Sequence, residues 1–201
     1  GFDEEGHYSS ARDVAKMAVE LQKYPEILEY STVWMDSLRG GETMLVNTNR
    51  LVRFYEGTTG LKTGTTSKAG CCVSASAMRD GTHLIAVVMG SENSTDRFET
   101  AKAMLNRGFA NYSTVTPVID SNLIPAVGVI NGVEEKIVPE IPLADSVLIE
   151  KGRENEITQN IDLAVDVAAP VEKGQVLGKV TFSLGGEKLG EYNLTAPNAV
   201  D

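Results

Sequence analysis

The segment of greatest chemical interest is Gly60-Leu61-Lys62-Thr63-Gly64-Thr65-Thr66. Lys62 offers an ammonium and Thr63 a hydroxyl, two groups suited to a terminal carboxylate. Gly64 has no side chain to obstruct a peptide lying along an extended backbone. A bare Lys-Thr-Gly is more often a solvated turn, so its surroundings decide what it means. Elsewhere the signals are weaker. His7 and His83 lie far apart with no carboxylates at ligand spacing, so neither a metal site nor a cofactor is expected. Cys71 and Cys72 are adjacent; neighbouring strand residues face opposite ways, so a mutual disulfide would be strained and both should pack as small apolar residues. Trp34 suits packing within a strand, and Asp13, Asp36 and Glu42 default to solvated surface carboxylates.

The elements that must carry these residues follow from periodicity. Ser9-Ser10 forms an N-cap, and Val14, Met17, Ala18 and Leu21 predict an amphipathic helix over 10–23. Pro25 predicts a short second helix to Tyr30. Thr32–Asp36 and Thr43–Val46 flank Arg39-Gly40-Gly41 as a hairpin, and Asn47 to Gly60 has the texture of a loop. Cys71–Met78 and Thr82–Met89 are strand-like runs joined by Asp80-Gly81, a strong two-residue hairpin signal. Ser94 opens a helix to Arg107, with Phe98, Ala101, Met104 and Leu105 on one face and Gly108 as its C-cap. Ser91-Glu92-Asn93 is then a loop and helix N-cap. The first unit is therefore α+β, with helices against an antiparallel sheet.

Past Tyr112 helical periodicity disappears. Val115–Ile119, Val127–Ile130, Lys136–Pro139, Ser146–Glu150, Asn160–Val167, Gln175–Leu184 and Glu187–Leu194 are short β-rich runs between turn signals, which suggests a small all-β sandwich. Pro170 to Gly178 has the character of a turn that brings a glycine-bearing edge near the surface. The expected domains are 1–112 and 113–201.

The chain has 201 residues, 42% of them hydrophobic and 23% charged, with a net charge of −10. These values fit a globular chain and exclude disorder. Up to Tyr112 there are 12 basic and 14 acidic residues, and beyond it 6 and 14, so most of the charge falls on the second unit. Such an acidic balance argues against nucleic acid as a partner. No run is long and apolar enough to span a bilayer, and the acidic opening is unlike a signal peptide.

Several ordered segments together resemble the low-molecular-mass penicillin-binding proteins, the serine-type D-alanyl-D-alanine carboxypeptidases. Lys62-Thr63-Gly64 is similar to the third motif of these enzymes. Gly6-His7-Tyr8-Ser9-Ser10-Ala11-Arg12-Asp13-Val14-Ala15 resembles the segment following their Ser-x-Asn motif, and Asn47-Thr48-Asn49 the asparagine-bearing loop ahead of Lys-Thr-Gly. Ile85-Ala86-Val87-Val88-Met89-Gly90 resembles the strand after it, and the tail from about Ser113 the C-terminal β domain.

The resemblance implies part of a penicillin-binding-protein/β-lactamase-like transpeptidase domain followed by the β domain. It also implies that Lys62 and Thr63 anchor the substrate carboxylate, that Gly64 gives clearance and that Thr65 supplies an oxyanion N–H. Arg97 either adds positive charge near that carboxylate or is an exposed helix arginine. None of the ten lysines has a serine three positions earlier, so the acylating serine and its lysine base are absent from these 201 residues, and the chain alone is expected to be inactive.

Implied partners are a peptidoglycan stem peptide ending in D-Ala-D-Ala and β-lactams, on the extracytoplasmic side, with any membrane anchor confined to the full-length protein. The other readings are a non-catalytic spacer or interaction module in the β domain, and an inactive peptide-binding homologue. An unpaired edge of the sheet carrying Lys62 is a surface to which a second copy could add.

Overall fold

Ser10 caps the first helix, α1 (Ala11–Leu21), by accepting the Asp13 N–H at 3.1 Å and donating to the Asp13 carboxylate at 2.7 Å. Pro25 begins α2 (Pro25–Ser31), where a missing N–H costs nothing. The computed structural model describes residues 2–201, and the chain forms two units that divide between Ser113 and Thr114. In the first unit, β1 (Met35–Leu38) and β2 (Thr43–Val46) make an antiparallel hairpin. Its first strand begins three residues later than the sequence suggests, because the Thr32 N–H is still bonded to Leu28 of α2. Trp34 accordingly precedes the strand. The stretch expected to be a loop contains one helical turn, α3 (Leu51–Phe54), held by a buried Leu51.

Three consecutive antiparallel strands follow: β3 (Thr58–Thr66), β4 (Gly70–Arg79) and β5 (Thr82–Ser91), in that spatial order. Asp80 (φ 48°) and Gly81 (φ 74°) both take the left-handed conformation that a type I′ turn requires. Val73, Ala75 and Ala77 of β4 and Ala86 and Val88 of β5 share one face, over which α4 (Ser94–Asn111) lays Phe98, Ala101, Leu105 and Phe109. Burying each larger side chain contributes roughly 1.5–3 kcal/mol, which makes this face the anchor of the sheet.

The sequence misreads the end of α4. The helix runs past Gly108 to Asn111, so Gly108 is not a C-cap. A Cβ there would lie 2.5 Å from Leu84 Cδ1, so α4 packs closely on the Leu84 side chain of β5 at this point.

The second unit contains the remaining strands: β6 (Tyr112–Val115), crossing the boundary, β7 (Val127–Ile130), β8 (Lys136–Ile137), β9 (Val147–Glu150), β10 (Thr158–Leu163), β11 (Asp166–Ala168), β12 (Val176–Leu184) and β13 (Glu187–Thr195). One sheet has the order β10-β12-β13 and another β11-β7-β8. Val127, Val129, Ile137, Val171, Leu177, Ala196 and Val200 form one core, and Ile124, Val180, Phe182 and Leu194 a second.

Three expectations need correction here. The run Val115–Ile119 is not a strand beyond Val115, where Pro117 lacks the N–H a ladder needs. Asn160–Val167 is two strands, since β11 leaves its neighbours to pair in parallel with β7. Gly178 is not at an edge: it lies on the central strand β12, where a Cβ would fall 2.4 Å from the Asp162 carbonyl oxygen.

Candidate functional site

Strand β3 sets Lys62, Thr63, Gly64 and Thr65 opposite Ser74, Val73, Cys72 and Cys71 of β4. Alternation along the strand sends Lys62 and Thr63 to opposite faces. Thr63 is buried, and its hydroxyl lies 2.7 Å from the hydroxyl of Thr48. Thr48 is held in turn by an asparagine-rich loop: Asn47 accepts the Asn49 N–H, and the buried Asn49 accepts the Leu51 N–H. Lys62 is exposed and donates to the Thr63 carbonyl at 2.7 Å, with no carboxylate in ion-pair reach among the described residues. Around Gly64 there is open space where a Cβ would stand.

Arg97, four residues past the Asn93 N-cap of α4, is buried rather than exposed. Its Nη1 donates to the Gly64 carbonyl (3.1 Å), the Thr65 hydroxyl (3.1 Å) and the Cys72 carbonyl (3.2 Å), and its Nη2 to the Ser94 hydroxyl. Its guanidinium also lies 4.8 Å from the Phe98 ring centroid, and its Nε has no hydrogen-bond partner. Arg97 is thus a buried cation bonded only to neutral groups, with no carboxylate in ion-pair reach among the described residues.

Both cysteines are free and half-buried. They are not merely apolar filler: Cys71 Sγ accepts from the Thr65 hydroxyl, and Cys72 Sγ donates to the Ala69 carbonyl and accepts the Gly90 N–H. Beside them a cleft of about 570 Å³ is lined by Phe2, Tyr8, Gly64, Thr66, Cys72 and Met89, among others. Among its lining residues, the exposed Asp3 carboxylate accepts from the Thr66 hydroxyl (2.5 Å), the Ser67 hydroxyl (2.9 Å) and the Lys68 N–H (3.2 Å). These donors hold the Asp3 carboxyl below the usual carboxylate range, the Thr66 hydroxyl contributing most.

Nearer the start of β3, the Thr59 hydroxyl donates to the buried Ser76 hydroxyl and lies 2.8 Å from His83 Nε2. Burial lowers the His83 pKa, favouring the neutral ring. His7 lines the cleft but is exposed, and no cluster of three or more metal-ligating side chains occurs among the described residues. Trp34 packs edge-to-face on Phe54 at 6.0 Å with the Arg53 guanidinium over its ring. The structure thus brings Lys62, Thr63, Gly64, Thr65 and Arg97 to one strand end. It adds Thr48 and Asp3, to which sequence reasoning assigned no role. The only available hint was that Thr48 lies in the asparagine-bearing loop.

Comparison with known proteins agrees along the chain. Residues 1–93 match the family model for D-alanyl-D-alanine carboxypeptidase, and residues 112–201 match that for the penicillin-binding protein 5 C-terminal domain. The D-alanyl-D-alanine carboxypeptidase DacF of Bacillus subtilis is 37% identical over 200 residues, an alignment covering 98% of this chain and 51% of the relative. DacC of Escherichia coli is 30% identical, covering 100% and 50%. The chain therefore spans about half the length of the relatives it matches. The crystal structure of penicillin-binding protein 5 from Haemophilus influenzae superposes with a TM-score of 0.75 at 30% identity, covering 100% of this chain and 59% of that one. With both portions matched in order, the chain belongs to the D-alanyl-D-alanine carboxypeptidase family of low-molecular-mass penicillin-binding proteins.

Proposed function

We propose that the chain supplies the substrate-anchoring strand of a serine-type D-Ala-D-Ala carboxypeptidase, a hydrolase trimming peptidoglycan stem peptides on the outer side of the cytoplasmic membrane. The observation that carries this reading is the pair of cations at β3. Lys62 and Arg97 bond to the consecutive carbonyls of Thr63 and Gly64 and to no carboxylate among the described residues, so their charge is available to an anionic substrate end.

In this reading the Lys62 ammonium holds the terminal carboxylate together with the Thr63 hydroxyl, and Arg97 reinforces the field. The Lys62 and Thr63 side chains leave opposite faces, but the ammonium bends along the strand to the Thr63 carbonyl and so comes beside Thr63. Gly64 lets the peptide lie close to the backbone. A serine hydroxyl oxygen of the complete protein bonds to the carbonyl carbon of the penultimate D-alanine, while the Thr65 N–H stabilises the oxygen that becomes negative. The amide C–N bond then breaks, the last D-alanine leaves with a proton on its nitrogen, and water cleaves the resulting ester. Residues 1–201 contain no Ser-x-x-Lys, so the serine and its lysine base would come from outside them. A β-lactam would acylate the same serine. In support, the comparable structure of Listeria monocytogenes penicillin-binding protein D2, 30% identical over 54% of this chain with a TM-score of 0.50, is described as cefotaxime-bound.

The test is covalent labelling by fluorescent penicillin. The complete protein should label and residues 1–201 alone should not, while Lys62→Ala in the complete protein should weaken peptide cleavage by about 10²-fold, the scale of a lost charged anchor. Labelling of the isolated chain, or full cleavage by Lys62→Ala, would sink the proposal.

The β domain also admits a role as a spacer or docking module. Leu143, Val118, Val133 and Val165 on its surface are each more than 80% exposed, unusual for large apolar side chains. The sheet of the first unit also suits addition of a second copy, since β3 and β5 each have an unpaired edge among the described residues.

A further inference from the structure

We infer that Asp3 is a positioning residue for the site: its carboxylate ties down the β3–β4 turn and so fixes the backbone of Thr65. The inference rests on the reading of β3 as the anchoring strand.

Three donors from consecutive residues, Thr66 Oγ1, Ser67 Oγ and the Lys68 N–H, converge on the two oxygens of one carboxylate. The Thr66 hydroxyl that donates to Asp3 also accepts the Ala69 N–H at 3.0 Å, so the carboxylate orders both sides of the turn. Thr66 pairs with Gly70 and Thr65 with Cys71, which makes this turn the end of the ladder that aims the Thr65 N–H. A turn of Ser67, Lys68 and Ala69 has no buried side chain of its own to hold it. Arg97 grips the opposite side of Thr65 through its hydroxyl, leaving Asp3 as the restraint from the turn. Because oxyanion stabilisation depends on a donor already in place, loosening this turn should be felt in the transition state more than in initial binding.

The experiment measures penicillin acylation of the complete protein at rising antibiotic concentration, separating initial affinity from the acylation rate constant at saturation. Asp3→Ala should lower the rate constant about tenfold, a fraction of what losing an oxyanion donor outright costs, with initial affinity and melting temperature little changed. Asp3→Asn, which keeps one acceptor oxygen, should recover to within about threefold of the original. The inference is overturned if Asp3→Ala acylates at the original rate, or if its loss appears only as weaker affinity or a lowered melting temperature. Lys62→Ala run in parallel separates the two claims. If Lys62→Ala has its expected effect and Asp3→Ala has none, Asp3 alone is misassigned; if neither has an effect, the anchoring strand is misassigned.

Discussion

The two units satisfy their basic side chains differently. In the second, Arg153 is held between Glu150 and Glu156, and Lys179 and Lys188 both reach Glu191. In the first, Lys23 and Lys102 likewise pair with glutamates, but Lys62 and Arg97, beside β3, bond to main-chain carbonyls instead. Exposed ion pairs of the former kind contribute little, about 0–1 kcal/mol each, and leave no charge unmatched. The latter arrangement spends buried volume on a cation without its counter-ion, and the place where a protein does that is where an anion from elsewhere can bind. The cores differ as well. The first is a local meander under one helix, whereas the second joins strands far apart in sequence and includes the parallel β7–β11 pair.

If the units are energetically separate, Phe182→Ala should destabilise the second by about 3–5 kcal/mol, since this ring is 2% exposed in its core. Calorimetry should show one transition falling and the other fixed. A shift of both would break the separation.

Two glycines sharpen the contrast further. Gly178→Ala drives a methyl into the Asp162 carbonyl and the Leu163 Cα, backbone that cannot yield, and should cost the second unit about 1–3 kcal/mol. Gly108→Ala meets only the tip of Leu84, which can rotate, and gains about 1 kcal/mol in helix propensity, so the first unit should change by less than about 1 kcal/mol. Chemical denaturation of each variant measures both; equal losses would contradict this account.

The smallest effect concerns pH. His83, the histidine with a depressed pKa, lies in the first unit, and the second has no histidine at all. Its stabilising contribution is present above the unfolded value of about 6.5 and is lost as pH falls through the lower folded value. The first unit should therefore weaken on acidification below about 6.5 while the second does not, and His83→Gln should flatten that slope. An unchanged slope would show that the buried His83 is not what titrates.

How much of this was legible depended on distance along the chain. Asp80-Gly81 specified its hairpin because turn chemistry is local, and Ser10 and Pro25 marked their helices for the same reason. The α3 turn was not legible, since four residues show no period and only packing of Leu51 holds them. Gly108 was misread as a cap because the reason for it, Leu84, is 24 positions away. At the site, Lys62 to Thr65 were legible as one motif. Thr48 and Asp3 were not, because they reach Thr63 and Thr66 across 15 and 63 residues. Nor did helix position alone say whether Arg97 faces solvent or the strand.

That long reach of Asp3 also bears on the order in which the chain folds. The β4–β5 hairpin closes through two residues, and the β3–β4 ladder through three, so both can form early at small entropic cost. The Asp3 contact must close a far longer loop, which assigns it to the downhill side of the folding barrier. Removing it should therefore leave the folding rate alone, with the small stability it carries showing only in the unfolding rate, so that the anchoring strand is built first and its final alignment is set last.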